Sequence, residues 1–395
     1  MMKLFMVCLV VMGSWVGEWG VMANAKVSVV EGDNSEYFKL LCRIYNVAHN
    51  PPIKPVDTKD YQKIVDDINA LSAAANGKER VNTQSEETKS AQTQLIGITR
   101  EAHKLLDGIK NVNPEGEVER ARNTFNQVIF GEHGKEGDLY HGTLNVGETR
   151  SKACGSNNQG KGTSAGKNLV VDFFCLCAKP NLGDEVVDNV CGVSVGSGDG
   201  AGWGLKLVSA DTMWNEVKDG CEKFVKQSVT STQDGYFSLS IFMDRVAVGG
   251  NVKLKNKDTL RTPSVLGTAV SDTGTINFNC NGKASVMRVG RAGVCVFYGN
   301  QHQEENIDWL KKFKTGLKLI DKLNTETASW QHQLTTLLNR ARELYEKVKA
   351  NTQLEEVDME EPIAAQHPNP DENENADSAT RSMRHSLLAW ALLLQ

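Results

Sequence analysis

The sequence predicts a mainly α fold: an elongated helical coiled-coil bundle with a disulfide-rich, loop-rich distal lobe, the lobe being an α+β insertion. Three observations carry this. Apolar residues recur at spacings of three and four over both flanks, residues 35–130 and 307–350. Between them, residues 131–306 lose that period and become rich in glycine and turn clusters. Seven of the nine cysteines, from Cys154 to Cys295, fall in that middle segment.

The chain opens MMKLFMVCLVVMGSWVGEWGVMANA. Lys3 precedes an apolar run, Leu4 to Val16, and Ala23-Asn24-Ala25 matches an A-x-A processing site. Residues 1–25 are therefore expected to be a signal peptide, cut after Ala25. The apolar run is shorter than the ~20 residues that span a bilayer core. The ectodomain is expected to cover residues 26–350.

Asp33-Asn34-Ser35 offers N-caps for a helix, EYFKLLCRIYNVAHN, with Phe38, Leu41, Cys42 and Tyr45 on one face. Pro51-Pro52 stops it, since proline has no amide to continue the ladder. A second helix is expected from Asp60 to Ala75, on Tyr61, Ile64, Ile68, Leu71 and Ala75. A third starts near Ser85 and carries Ala91, Leu95, Ile98, Ala102, Leu105, Ile109 and Val112, ending at Asn113-Pro114. A shorter helix covers Glu117 to Phe130. In the lobe, NLVVDFFCLCA and YFSLSIFM read as strand-like, and Trp214 to Lys226 as a helix.

The helical period returns from Ile307 to Ala350. One register holds: Leu310, Phe313, Leu317, Ile320, Asn324, Thr327, Gln331, Leu334, Leu338, Ala341, Tyr345 and Val348. Its three polar members are consecutive and read as a local irregularity or a layer that specifies register. A helix of this length makes a rod of roughly 65 Å, which needs partners. The helices of the other flank can supply them.

Residues 351–378 hold nine acidic side chains, no Lys or Arg, and Pro362, Pro368 and Pro370. Such a segment repels itself and reads as an extended tether. Beyond it come small residues (Asp377-Ser378-Ala379-Thr380), a polar spacer with Arg381 and Arg384, and an apolar tail, Leu387 to Leu394. That order is the signal for a GPI anchor, with 379–395 as the removed propeptide. Ser378 is the expected attachment residue, with Asp377 or Asn375 as alternatives.

The 395 residues carry a formal charge of −5. Removing both terminal segments takes away Lys3, Arg381, Arg384 and Glu18, leaving −7. An acidic chain has no electrostatic case for nucleic acid. With Cys8 in the leader, Cys42, Cys154, Cys175, Cys177, Cys191, Cys221, Cys280 and Cys295 remain, an even number in a secreted chain, and four disulfides are expected. The spacing leaves their pairing open. Cys175-x-Cys177 lacks zinc-ligand spacing.

No cofactor, metal or catalytic constellation emerges. Gly155 to Gly162 resembles a phosphate loop, but Gly162 stands where a Ser or Thr would reach magnesium. It reads as a solvent loop. Gly196 to Gly204, GSGDGAGWG, fits no dinucleotide fingerprint and reads as a flexible exposed loop. His133 and His141 flank Glu136 and Asp138 without the helical spacing of a zinc site. No N-x-S/T sequon occurs.

The stretch YFKLLCRIYNVAHNPP, the cysteine-rich middle, the long return helix and the acidic segment ending in DSATRSMRHSLLAWALLLQ together resemble the variant surface glycoproteins of African trypanosomes, most closely the congolense type. The resemblance covers essentially the whole chain. Unlike the brucei type, no separate cysteine-rich domain follows the long helix. The resemblance implies homodimers packed in a dense GPI-anchored monolayer that shields the membrane from host antibodies and changes by antigenic variation. It implies antibody binding at loops 155–166 and 196–204. Related trypanosome proteins with similar rods are nutrient receptors for haptoglobin–haemoglobin or transferrin, and these form the alternative.

Overall fold

The computed structural model describes residues 27–77, 85–180, 186–198, 201–225, 229–286, 290–300 and 304–359. The processing site at Ala25, the anchor candidates Asn375, Asp377 and Ser378, and the propeptide lie outside the described residues.

The first flank folds as α1 (Ser35–His49), α2 (Thr58–Asn76), α3 (Glu86–Val112) and α4 (Pro114–Phe130). Each boundary has a local cause. Asp57 accepts from the Lys59 amide to start α2, and Ser85 accepts from the Thr88 amide to start α3. Asn113 sits in the left-handed region (φ 53°), ending α3 and capping α4, whose first residue is Pro114. α4 thus begins before Glu117. Asn34 does not cap α1 through its side chain. It is fully buried, and its Nδ2 donates to the carbonyls of Leu176 (2.8 Å) and Val294 (2.7 Å).

The middle segment contains α5 (Arg150–Cys154), the hairpin β1 (Gly155–Ser156) and β2 (Gly160–Lys161), α6 (Leu169–Cys177), the hairpin β3 (Gly202–Trp203) and β4 (Leu207–Val208), α7 (Ala210–Phe224) and α8 (Thr232–Val248). Then come β5 (Gly250–Leu254), β6 (Leu260–Thr262), β7 (Val265–Ser271) and β8 (Arg291–Phe297), forming a sheet of order β6-β5-β7-β8. β5 and β7 are parallel, and the other two pairings are antiparallel. β7 is buried along its whole length, with α8 packed against it and α6 packed against β8.

Two strand-like readings are corrected here. NLVVDFFCLCA is α6, and YFSLSIFM lies inside α8. All nine residues of α6 are buried, so no polar face marks its helical period. α8 alternates apolar residues with small polar ones, but Ser231 caps it by accepting from the Gln233 amide, and it packs between α1 and α9.

α9 (Asp308–Met359) is 52 residues long, about 78 Å at 1.5 Å per residue. It continues past Ala350, so the helix extends into the segment read as tether. Along its register, Leu310, Phe313, Leu317, Ile320, Leu334, Leu338, Ala341 and Val348 are buried, while Gln331 is exposed. On α3 the buried residue is Leu106 rather than Leu105, because buried positions there follow the 3.6-residue helical period. Val112 is exposed for the same reason.

The buried apolar residues form two clusters. The larger joins α1, α4, α5 to α8, the sheet and α9 from Trp309 to Ile320. The smaller is a three-helix bundle of α2, α3 and α9 from Leu334 to Val348. Four disulfides, Cys42–Cys221, Cys154–Cys175, Cys177–Cys191 and Cys280–Cys295, all lie in the larger unit, hereafter the head. Among the described residues, no helix is long and apolar enough to cross a membrane.

Candidate functional site

The head is organised around α6. Asn168 starts that helix by accepting from the Val171 amide (2.9 Å), while its Nδ2 donates to the Thr143 carbonyl (2.8 Å). Asp172 follows in the first turn, where a negative charge meets the positive end of the helix dipole. It is fully buried. One carboxylate oxygen accepts from the Gly166 amide (2.8 Å), and the other accepts from Tyr298 Oη (2.8 Å) and Trp309 Nε1 (2.7 Å). The acid therefore joins α6 to the segment after β8 and to the start of α9.

Arg150 lies at the opposite end of α6. It is fully buried, and no acidic side chain pairs with it among the described residues. Its Nη2 donates to the Cys175 carbonyl (2.9 Å), and Nη1 donates to the carbonyls of Ala178 and Trp203, the latter at 3.3 Å. The carbonyl ends of α6 thus solvate the cation, again with the sign of the helix dipole. Burial alone pushes its pKa down, to about 9, which leaves the guanidinium charged at neutral pH. No sequence signal marked Arg150. Asp172 was detectable as one acid inside an apolar run, VVDFF.

Burial raises the Asp172 carboxyl to about 6 from 3.8, against the opposing pull of its three donors. An unfolded carboxyl loses its proton near pH 4, so between the two values the native state holds one more proton. Raising the pH through that window lowers stability by an amount on the order of 3 kcal/mol. The stability difference between pH 4 and pH 7 should therefore change by about this amount in Asp172→Asn. Melting of both forms across that range measures it. Parallel pH profiles would remove Asp172 as the source.

Arg150 also holds one of the exposed tips. The β3–β4 hairpin is anchored beneath by Arg150 through the Trp203 carbonyl and by the Arg150 amide bonded to the Gly204 carbonyl (3.1 Å). Above this base Leu205 is 79% exposed. The reading of 196–204 as a flexible exposed loop is corrected over most of its described length. Gly196, Ala201, Gly202 and Trp203 are buried, and the Gly196 and Ser197 amides donate to the Glu216 carboxylate at 2.5 and 3.2 Å. Residues 199 and 200 lie outside the described residues.

The solvent-loop reading of 155–162 is likewise corrected. The segment is the β1–β2 hairpin, folded onto the head. A side chain at Gly162 would meet the Ala153 carbonyl at 2.2 Å, and Asn157 Oδ1 accepts from the Phe278 amide (2.9 Å). Lys161 Nζ donates to the Asn306 carbonyl, so the lysine of the phosphate-loop-like motif serves a structural contact. Asn158 and Gln159 are exposed at the turn. Glu136 pairs with Lys218 (2.5 Å), and Asp138 pairs with His141 (2.7 Å). Glu136 and Asp138 therefore turn to different partners rather than to one centre. Cys175 and Cys177 bond to different partners.

The family of the trypanosomal VSG domain matches residues 19–94 and 72–337. No curated protein matches the chain at a significant level. The match runs through α1 to α8, the sheet and the first half of α9, well over half of the sequence. The chain belongs to the trypanosomal variant surface glycoprotein family, whose members are surface coat glycoproteins.

Proposed function

We propose that the chain is a GPI-anchored coat subunit of the congolense type. It forms homodimers in a dense monolayer, and antigenic variation of that layer evades host antibody. The observation that supports this most directly is the division of labour along α9. The stapled head occupies its N-terminal half, while the acidic segment begins in its last turns and, with the anchor-like tail, continues beyond its C-terminal end. A rod so arranged presents the head away from the lipid. Antibodies are proposed to reach the exposed tips, Asn158 and Gln159 on one hairpin and Ser197, Gly198 and Leu205 beside the other. Those tips can vary because the residues holding them are backbone groups and buried side chains.

Phosphatidylinositol-specific phospholipase C acting on intact cells tests the reading. The expected result is one dominant released protein, beginning at Lys26 and ending in glycan-modified Ser378. Release in trace amounts would contradict the coat and favour a receptor. No release, with the C-terminal SLLAWALLLQ intact, would overturn the anchor.

A further inference from the structure

The two apolar clusters are separate, and the segments that cross between them carry few buried apolar residues. Three segments cross. On α9, the head cluster ends at Ile320 and the bundle cluster begins with Leu334. The register positions between them are Asn324, Thr327 and Gln331; of the apolar residues there, buried Leu323 joins neither cluster and half-buried Trp330 packs on the bundle. In the α1–α2 connector, Ile53 packs on the head and Val56 on the bundle, with Lys54 and Pro55 between. At the α3–α4 junction, Asn113 and Pro114 interrupt the helix between Ile109, in the bundle, and Ala121, in the head.

Among the polar register residues, Asn324 bonds the α1–α2 connector. Asn324 Oδ1 accepts from the Lys54 amide (3.0 Å), and its Nδ2 donates to the Pro52 carbonyl (3.1 Å). Glu115 Oε1 accepts from the Thr58 amide (2.9 Å) at the same level. A cleft of about 340 Å³, lined by Lys54, Pro55, Asp57, Asp60, Thr327 and Gln331, opens this level to solvent. The waist is thus held by a few hydrogen bonds, which each contribute only ~1 kcal/mol net.

The units on either side are unequal. Among the described residues, the head cluster holds 62 buried apolar residues and all four disulfides, while the bundle cluster holds 16 and no disulfide. A three-helix unit with so small a core is marginal by itself, and contiguous units of low contact density open separately from the rest.

We propose that the polar waist at Asn324–Gln331 is a cooperative boundary. The α2–α3–α9 bundle opens as a unit of its own while the head and the first half of α9 stay folded. The exposed tips, which are fixed only to the head, keep their shape when the stalk beneath them opens.

Hydrogen exchange with mass analysis on the full chain tests this. Amides of α2, α3 and 334–348 should exchange together and at least tenfold faster than those of α6, β7 and β8. Leu338→Ala, a bundle-core change, should speed exchange of those bundle segments by roughly thirtyfold, taking the low end of such truncations. It should leave α6, β7 and β8 unchanged. Val296→Ala in the head should speed head exchange and leave the bundle unchanged. Equal protection of both units, or acceleration of the head by Leu338→Ala, would overturn the boundary, as would collapse of the whole fold in either variant.

Discussion

Arg150→Ala should lower the stability of the head by about 3–5 kcal/mol, from orphaned buried carbonyls and the cavity left behind. The substitution strips the carbonyls of Cys175, Ala178 and Trp203 of their donor in a place water does not reach. Each orphaned acceptor costs ~1–3 kcal/mol, and the lost side-chain volume adds a cavity. Removing the cation also relieves its desolvation, so the sum is less than the parts. Arg150→Met separates these effects. It refills the volume without restoring a donor and should lose about 2–3 kcal/mol, between wild type and alanine. Urea unfolding followed by tryptophan fluorescence reads the order, since Trp203, Trp214 and Trp309 are buried in the head. A methionine variant as stable as wild type would show that the guanidinium does not hold α6. Because Arg150 also fixes the base of the β3–β4 hairpin, antibodies to that tip should bind both variants more weakly than wild type.

The helical flanks were legible in the sequence because their helices are amphipathic. Tyr61, Ile68, Leu95, Ile98, Leu334 and Ala341 repeat at helical spacing against a polar background, and Asp57, Ser85 and Asn113-Pro114 mark helix boundaries. The polar interruption at Asn324, Thr327 and Gln331 was legible as a gap. Its reason was not, since the partner of Asn324 is the backbone of Pro52 and Lys54, far away in sequence. α6 escaped detection for the opposite cause. A helix buried on every side has no period to read, and its β-branched and aromatic residues favour strands. What makes it a helix is a local cap at Asn168 and a distant arginine on its last carbonyls. The glycine-rich loops misled because glycine suggests freedom. At Gly155 and Gly162 it instead permits close approach of two backbone segments. The exposed tips are shorter than either loop, and only burial reveals which residues they are.

Replacing Cys42 and Cys221 together by alanine should cost the most of any disulfide removal, about 5 kcal/mol in the chain-entropy account. The bond joins α1 to α7 across a sequence separation of 179. The closed loop contains the whole α2–α3 hairpin and α4 to α6, so its removal frees the unfolded chain far more than loss of a local staple. Cys280–Cys295 closes a separation of 15 and should cost about 3 kcal/mol by the same account. Chemical unfolding of the two double-alanine variants under oxidising conditions measures the gap, expected to be about 2 kcal/mol. Equal losses would mean that native packing, rather than loop closure, sets the value of these bonds. The site of the loss carries a further expectation. Cys42 and Cys221 are both buried in the head core, on α1 and α7, the helices that also bring Tyr45 onto Trp214. The Cys42 and Cys221 variant should therefore bring head opening closer in free energy to bundle opening, and the two exchange classes should converge. Such convergence would identify the long-range staple as what keeps the head folded while the bundle below it opens.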